Sequence, residues 1–386
     1  MAIPPVWEPS PVLVRAAAVR EGLASLPGRT EFVNSGTAAL ALATRRLWGG
    51  TASIEVGKRP EVLIPAYCCP SVVAAVHFAG GRCVACDLDD DGLSMSADSI
   101  AANSSPATVG VVSVRLFGLE DRDEDAVLSQ AFAPGRIVVD CCQAHPRRVA
   151  LQPDRGYVFS FGRGKAAPAL VGGAFVPALW RRESEGPAQA RAWSIVRPFR
   201  RAVAAAFRAL AYDVLTRSLP FLLVQRSGLF GLGETIYRPL NCVASLGPTE
   251  LARVGAAIAL TPTPPTPATQ RLLAWVLAQH RAGVLRVPKS VLMQEDSGFL
   301  LRIPVFAESG AQRDRIVAGL IAAGLGASAM YGAAIDQIPG ARELVLVRSG
   351  VKWARHCAER IFTLPNHARV TERHVDLIEK VVSAQS

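Results

Sequence analysis

The sequence predicts an α/β protein with a mainly parallel sheet, and three observations carry that reading. Six short apolar runs, EVLIPA (61–66), CVACDLD (83–89), VGVVSVRLFG (109–118), RIVVDCC (136–142), YVFSF (157–161) and GAFVPA (173–178), are near-continuous rather than alternating. That pattern suits strands covered on both faces. Helical segments such as PSVVAAVHFAG (70–80) and EDAVLSQAF (124–132) fall between several of them. At 386 residues the chain can hold one large domain and one smaller domain, each with its own core.

The elements follow in order. NSGTAALALATRRLWG (34–49) reads as a helix capped by Asn34 or Ser35, with Leu40, Ala43 and Leu47 on one face. The strand and helix alternation then runs to Ala178, where a region rich in arginine and large apolar residues takes over to about residue 240. This region is expected to form amphipathic helix that covers the sheet or a partner subunit. A membrane-surface helix built on Arg197, Arg200 and Arg201 is the alternative, since basic charge and apolar bulk coincide there. TPTPPTPAT (261–269) reads as a proline-stiffened connection. LLRIPVF, a helix through RDRIVAGLIAAGLG, and a last helix in TERHVDLIEKVVSA make an α+β tail. The expected division is a large domain over 1–260, a connection and helix over 261–284, and a small domain over 285–386.

Composition narrows the function classes. Half the residues are hydrophobic and 19% are charged, which is globular rather than disordered. The net charge of +10 suits a partner carrying phosphate or carboxylate. No basic run is interleaved with aromatics, so nucleic acid is disfavoured. The eight cysteines lie mostly in or beside strand-like runs and read as buried free thiols of a reducing compartment. Cys83 and Cys86 form a CxxC with no second pair at zinc spacing, leaving metal or redox use a weak alternative, and no metal is expected. Residues 62–81 carry no charge, but Pro65, Pro70 and His77 divide them into strand, turn and helix rather than a membrane span. The N-terminus lacks the pattern of a secretory signal, and a cytoplasmic protein is expected.

The chemistry concentrates where strands end. Lys165 in SFGRGK stands among small residues directly after a buried strand, where a charge is costly. Asp140 ends another buried strand, a place for a carboxylate that meets a positive partner. Ser35, Gly36 and Thr37 open a helix whose free amides and dipole favour a phosphate group. A lysine amine, a carboxylate and a phosphate cup are what pyridoxal 5'-phosphate requires of a protein. Taken singly, each has a plainer reading: Asp140 capping a turn, Gln143 at the surface, Ser35 to Thr37 as an ordinary helix start, Lys165 as a solvated lysine.

The order of these pieces resembles the DegT/DnrJ/EryC1/StrS family of pyridoxal-phosphate aminotransferases, of fold type I. The matching stretches are NSGTAALAL, EVLIPAYCCPSVVAAVHFAGGRCVACDLDDDGLSM, VVDCCQAH, SFGRGK with GGAF, and FTLPNHARVTERHVDLIEKVV. The resemblance covers nearly the whole chain, least of all 179–285. It implies that Lys165 carries the cofactor as a Schiff base and moves protons. It likewise implies that Asp140 holds the pyridinium nitrogen, that Gln143 meets the ring's phenolic oxygen side, and that Ser160, Gly36 and Thr37, beside Ser35, bind the phosphate. It also implies a homodimer with active sites at the subunit interface, glutamate as amino donor, and a nucleotide-linked keto sugar as acceptor.

The departures concern the ring and the substrate. The family segment that supplies a stacking aromatic reads PAYCC here, so either Cys69 faces the ring or Tyr67 takes another role. The small-domain segment with two histidines and two prolines reads MYGAAID, retaining Tyr331. Asn241 is a weak stand-in for the asparagine that the family contributes across the dimer. Arg163 meets either a substrate anion or an acidic surface group. His145 either assists proton transfer or is structural, and Tyr331 either lines the substrate pocket or packs in the core. Two rival functions remain open at this point: a different reaction on the same cofactor, such as dehydration, and a non-catalytic, membrane-associated role for the basic helical region.

Overall fold

A computed structural model describes residues 2–11, 14–47, 59–90, 92–178, 198–217, 235–260, 264–293 and 300–385, with side chains from 207 onward in the 198–217 segment. Its frame is an eight-stranded sheet of order β1-β7-β6-β5-β4-β2-β3-β9. The strands are β1 (Glu31–Val33), β2 (Glu61–Pro65), β3 (Arg82–Cys86), β4 (Thr108–Val114), β5 (Ile137–Asp140), β6 (Gly156–Ser160), β7 (Gly173–Val176) and β9 (Val345–Leu346). Among them only β7 runs against the others, being antiparallel to both β1 and β6. The six apolar runs expected as strands are strands, and the sheet is mainly parallel as expected.

Apolar runs without alternation fit this sheet because both faces are covered. Val62 and Ile64 of β2 belong to one core, while Leu63 belongs to a second core on the opposite face. The same period of two separates Cys83 from Cys86 on β3, because an odd spacing puts the two thiols on opposite faces. The CxxC therefore cannot chelate a metal or close a disulfide, and burial pushes both thiols up, Cys86 to about 12.

Helices α1 (Ala16–Ala24), α2 (Gly36–Leu47), α3 (Pro70–Phe78), α4 (Ala97–Asn103) and α5 (Arg122–Ala131) lie among the first strands, followed by α6 (Pro198–Leu215) and α7 (Pro248–Ala259). The side chain of Ser35 accepts from the Ala38 N–H at 3.1 Å, which settles the cap of α2 on Ser35. A second, two-stranded sheet pairs β8 (Arg302–Phe306) with β10 (Ile361–Pro365) and is packed by the helices Gly310–Ala322 and Glu372–Ser383. The C-terminal segment is stitched to the large sheet. Its β9 extends the sheet edge beside β3, and Asp87 accepts from the Trp353 and Ala354 N–H groups at 3.0 and 2.8 Å. The N-terminal residues pack on this same part, through the Ile3 N–H to Gly324 and the His367 ring to Pro4.

The arginine-rich region is described only in α6. It presents Phe207, 70% exposed, with Leu210, Val214 and Leu215 also exposed, while Ala209 is fully buried. Arg197 lies outside the described residues, as do the side chains of Arg200 and Arg201. Among the described residues no helix is long and apolar enough to cross a membrane.

Candidate active site

The carboxyl ends of parallel strands are where an open α/β sheet exposes its loops to a ligand. Here β5 ends in Asp140 and β6 ends in Ser160, neighbours in the sheet. Asp140 is 6% exposed, and its Oδ1 accepts from the Cys142 N–H at 2.9 Å. The turn reading of Asp140 is thus correct for one oxygen. Its charge nevertheless reaches further, contributing to the raised acidity constants of Cys68, Cys142 and Tyr331.

Ser160 leads into a long loop closed by two backbone bonds, Phe161 N–H to Gly172 O and Ala169 N–H to Phe161 O, both 2.9 Å. Lys165 sits in this loop, half-buried and without an ion pair among the described residues. Gly164 before it has φ +67°, a left-handed turn that suits glycine. The Tyr212 side chain of α6 lies against the Gly164 backbone, so α6 braces the lysine loop. Arg163, between the two glycines, is exposed.

Cys142 ties these pieces together. Burial is the largest cause of its raised acidity constant; the Asp140 carboxylate adds to it and the Lys165 ammonium opposes it, so both charges lie near one thiol. The start of α2 closes the remaining side. A Cβ built on Gly36 would stand 2.8 Å from Ser160 Oγ and 3.1 Å from Cys142 Sγ. The Gly36 N–H is turned onto the β7 side by the parallel bridge of Ser35 with Gly172, while the Thr37 N–H precedes the first intrahelical bonds of α2. Glycine at 36 is therefore what keeps the cup between helix start and Ser160 clear.

The opposite wall comes from the C-terminal part. Gln143 accepts from the Phe117 N–H at 2.9 Å and donates to the Tyr331 hydroxyl at 3.2 Å. Phe117 holds a positive φ of 61°, and the Gln143 bond helps to fix that costly conformation. The Tyr331 ring packs on that of Tyr67 with centroids 5.4 Å apart. Burial, followed by the nearby Cys69, pushes the Tyr331 hydroxyl well up, so it stays protonated. Tyr331 thus reaches Gln143 from a packed position.

Tyr67 is fully buried. Its hydroxyl is pushed well up by burial and then by the Cys357 thiol, and Arg313 opposes the shift. Those neighbours lie in the C-terminal part, so Tyr67 serves the junction between the two sheets. Cys69, half-buried at the start of α3 and accepting from Ser71 Oγ at 2.9 Å, acts on the Tyr331 hydroxyl together with Tyr67 and Cys68.

His145 is not part of this group. Its Nε2 meets Leu260 O at 3.0 Å, its Nδ1 accepts from the Arg147 N–H, and burial lowers it to about 4. Both ring nitrogens are spent on backbone, which is the structural alternative. Asn241 is exposed. Sequence reasoning missed Cys142, whose only signal was its place two residues after Asp140.

The sheet order and the loops at its carboxyl edge are those of the fold type I architecture. The chain superposes on DesV of S. venezuelae with a TM-score of 0.64 at 19% identity, over 99% of this chain and 90% of that one. It matches NtdA of Bacillus subtilis, a structure with bound cofactor PMP, with a TM-score of 0.61 at 14% identity over 97% and 84%. At such identities the likeness establishes the fold. A sequence model of the DegT/DnrJ/EryC1/StrS aminotransferase family matches residues 30–177. A curated relative, the UDP-N-acetyl-3-dehydro-alpha-D-glucosamine 3-aminotransferase of Acidithiobacillus ferrooxidans, is 34% identical over 111 residues. That match spans 28% of this chain and 28% of the relative.

Proposed function

We propose that this protein is a pyridoxal-phosphate-dependent aminotransferase that moves an amino group from glutamate to a keto acceptor, a nucleotide-linked keto sugar. The observation that carries the reading is the meeting of Lys165, Asp140, Ser160 and Gly36 around the Cys142 thiol. The family match over 30–177 contains all four of these positions. The keto-sugar acceptor rests on the curated relative's name and on the net charge of +10, which suits a diphosphate.

The residues fit the cofactor. A cup that a Cβ at position 36 would fill, bordered by Ser160 and by the N-terminus of α2, suits a phosphate. Asp140, buried with one oxygen held by backbone, suits a pyridinium nitrogen. Pyridoxal phosphate, when bound, supplies an electron sink for charge developing at the substrate carbon. Lys165 holds the cofactor through Nζ and, once released, accepts and returns the proton at that same atom. Asp140 keeps a positive charge on the ring favourable. Gln143 and Tyr331 fix the wall facing the substrate and exclude water behind it. Arg163, exposed beside Lys165, is placed for an anionic part of the acceptor.

The reading includes a homodimer, supported by the apolar stripe Phe207, Leu210, Val214 and Leu215 on α6. It places the protein in the cytoplasm, supported by eight free cysteines. The test is the visible absorption of protein saturated with pyridoxal phosphate, before and after borohydride, in wild type and Lys165→Ala. A visible band that reduction removes, with the adduct mapped to Lys165 and absent from the variant, is the expected result. Folded wild-type protein with no such band would overturn the proposal.

A further inference from the structure

The first residue of β8 is a half-buried arginine with no counter-ion among the described residues. Arg302 makes one contact through its guanidinium, Nη1 to the Met330 Sδ at 3.6 Å, and sulfur is a weak acceptor. No ion pair to Arg302 exists among the described residues. Two interior guanidinium groups elsewhere are answered by carboxylates, while a third, Arg253, meets among the described residues only the Ala169 carbonyl at 3.5 Å. Arg115 meets Glu124 and Asp125, and Arg155 meets Asp125 and Asp154. Burial lowers Arg302 to about 10, while the Tyr331 hydroxyl nearby acts in the opposite direction. An uncompensated, partly buried cation is costly, and that cost is recovered when an anion arrives.

The surroundings fix where such an anion would sit. Met330 is held at φ +53°, its N–H donating to Ser328 Oγ at 3.1 Å and its carbonyl accepting from Thr235 Oγ1 at 3.5 Å. This turn sends the thioether onto Arg302 and the next side chain, Tyr331, onto Gln143 at the site wall. The charged groups on the β10 side do not neutralise the guanidinium. His367 is lowered to about 4 by burial first and also by the positive Arg369 and Arg302. A phosphate has its own place at the α2 start, whereas one planar guanidinium fork matches a carboxylate.

We propose that Arg302 is the carboxylate-binding residue of the substrate pocket, so that one of the two substrates is an acid whose carboxylate pairs with it beside Tyr331. The proposal rests on the aminotransferase reading. It leaves two sources for one chemistry, a dicarboxylic amino donor or a sugar acid as acceptor.

The test is calorimetric titration of the cofactor-loaded full chain with glutarate and with glucuronate, in wild type, Arg302→Gln and Arg302→Lys. Glutarate weakened about tenfold or more by Arg302→Gln, and less by Arg302→Lys, with glucuronate unaffected, assigns the carboxylate to the donor. The reverse pattern assigns it to a sugar acid. A second readout is the urea midpoint without ligand: Arg302→Gln keeps or raises it, whereas removal of a structural arginine lowers it. Affinities for both acids unchanged in Arg302→Gln, undetectable wild-type binding of both, or a lowered midpoint would overturn the proposal. The aminotransferase reading is judged separately by borohydride fixation at Lys165. Fixation with unchanged glutarate and glucuronate affinities rejects the role of Arg302 alone, and absence of fixation rejects the reading itself.

Discussion

Replacing Gly36 by alanine tests the cup directly. The new Cβ would lie 2.7 Å from Ser160 Cβ, 2.8 Å from Ser160 Oγ and 3.1 Å from Cys142 Sγ, all inside ordinary contact, which begins near 3.4 Å. Ser160 is the end of a strand paired on both sides, so it cannot swing away as the tip of a flexible side chain could. Restoring contact requires helix α2 and strand β6 to part by about 0.7 Å, and overpacking of this kind costs roughly 1–3 kcal/mol. The same movement separates Ser160 Oγ from the start of α2, with which it would share a phosphate. Each 1.4 kcal/mol lost there weakens binding by about tenfold. The assay is a urea unfolding series on the free protein together with an absorbance titration with pyridoxal phosphate. Gly162→Ala is the control, because its Cβ meets only Ser160 Oγ, at an ordinary 3.7 Å. Gly36→Ala is expected to lower both stability and affinity, and Gly162→Ala to change neither by more than about 0.5 kcal/mol. Equal stability and equal affinity in the two variants would refute the argument that position 36 is where the cup is kept clear.

Three further outcomes are expected. Asp140→Asn keeps an oxygen to accept from the Cys142 N–H, so folding is retained, while turnover with glutamate falls by roughly 10²-fold or more; turnover near wild type would remove Asp140 from the site. His145 and His367 are each lowered from 6.5 to about 4 by burial, so the unfolded chain takes up their protons first as pH falls. Their contribution to stability is fully present above pH 6.5 and lost on the way to pH 4, on the order of 3 kcal/mol for each. Urea midpoints measured across that range should decline less steeply in His145→Gln, and identical slopes would contradict burial as the cause. Asp125→Ala strips a carboxylate from both Arg115 and Arg155, the latter 1% exposed, and should cost about 3–5 kcal/mol in unfolding experiments. A loss below 1 kcal/mol would mean that water or neighbouring groups compensate.

The parallel part of the sheet was legible because burial on both faces writes itself into sequence as an unbroken apolar run. Strand β4 with five consecutive buried residues, and β2 with all five buried, are of that kind. Strand β1, three residues long and half covered, carries no such run, and β9 has only two residues. Neither could be read from pattern, since each exists by pairing with a strand distant in sequence. Their partners are β7 and β3. The same limit applies to side chains. Lys165 and Asp140 were legible because a charge next to a buried strand demands a reason, and position alone raises the demand. Ser160 and Gly36 gained their meaning only through the order of motifs, because serine and glycine are ordinary at a strand end and a helix start.

What sequence could not supply was direction. His145, two residues beyond Gln143, looks as well placed as Gln143 itself. The chain turns between them, so that Gln143 reaches Phe117 and Tyr331 while His145 reaches Leu260 on the far side. Tyr67 and Cys69 differ in the same way. Tyr67 is turned towards Cys357 and Arg313 at the junction of the two sheets, and Cys69 accepts from Ser71 Oγ at the start of α3. An aromatic ring is thus present in this region, but Tyr67 is given to holding the C-terminal part in place through Tyr331. A small, polarisable thiol stands where a second ring would narrow the pocket. The wall opposite Asp140 is consequently set by Gln143 and Tyr331, whose single 3.2 Å bond is a contact between the large sheet's loops and the C-terminal part. Any motion of one part against the other must break or carry that bond. Tyr331 therefore joins the two parts, with the half-buried Arg302 beside it.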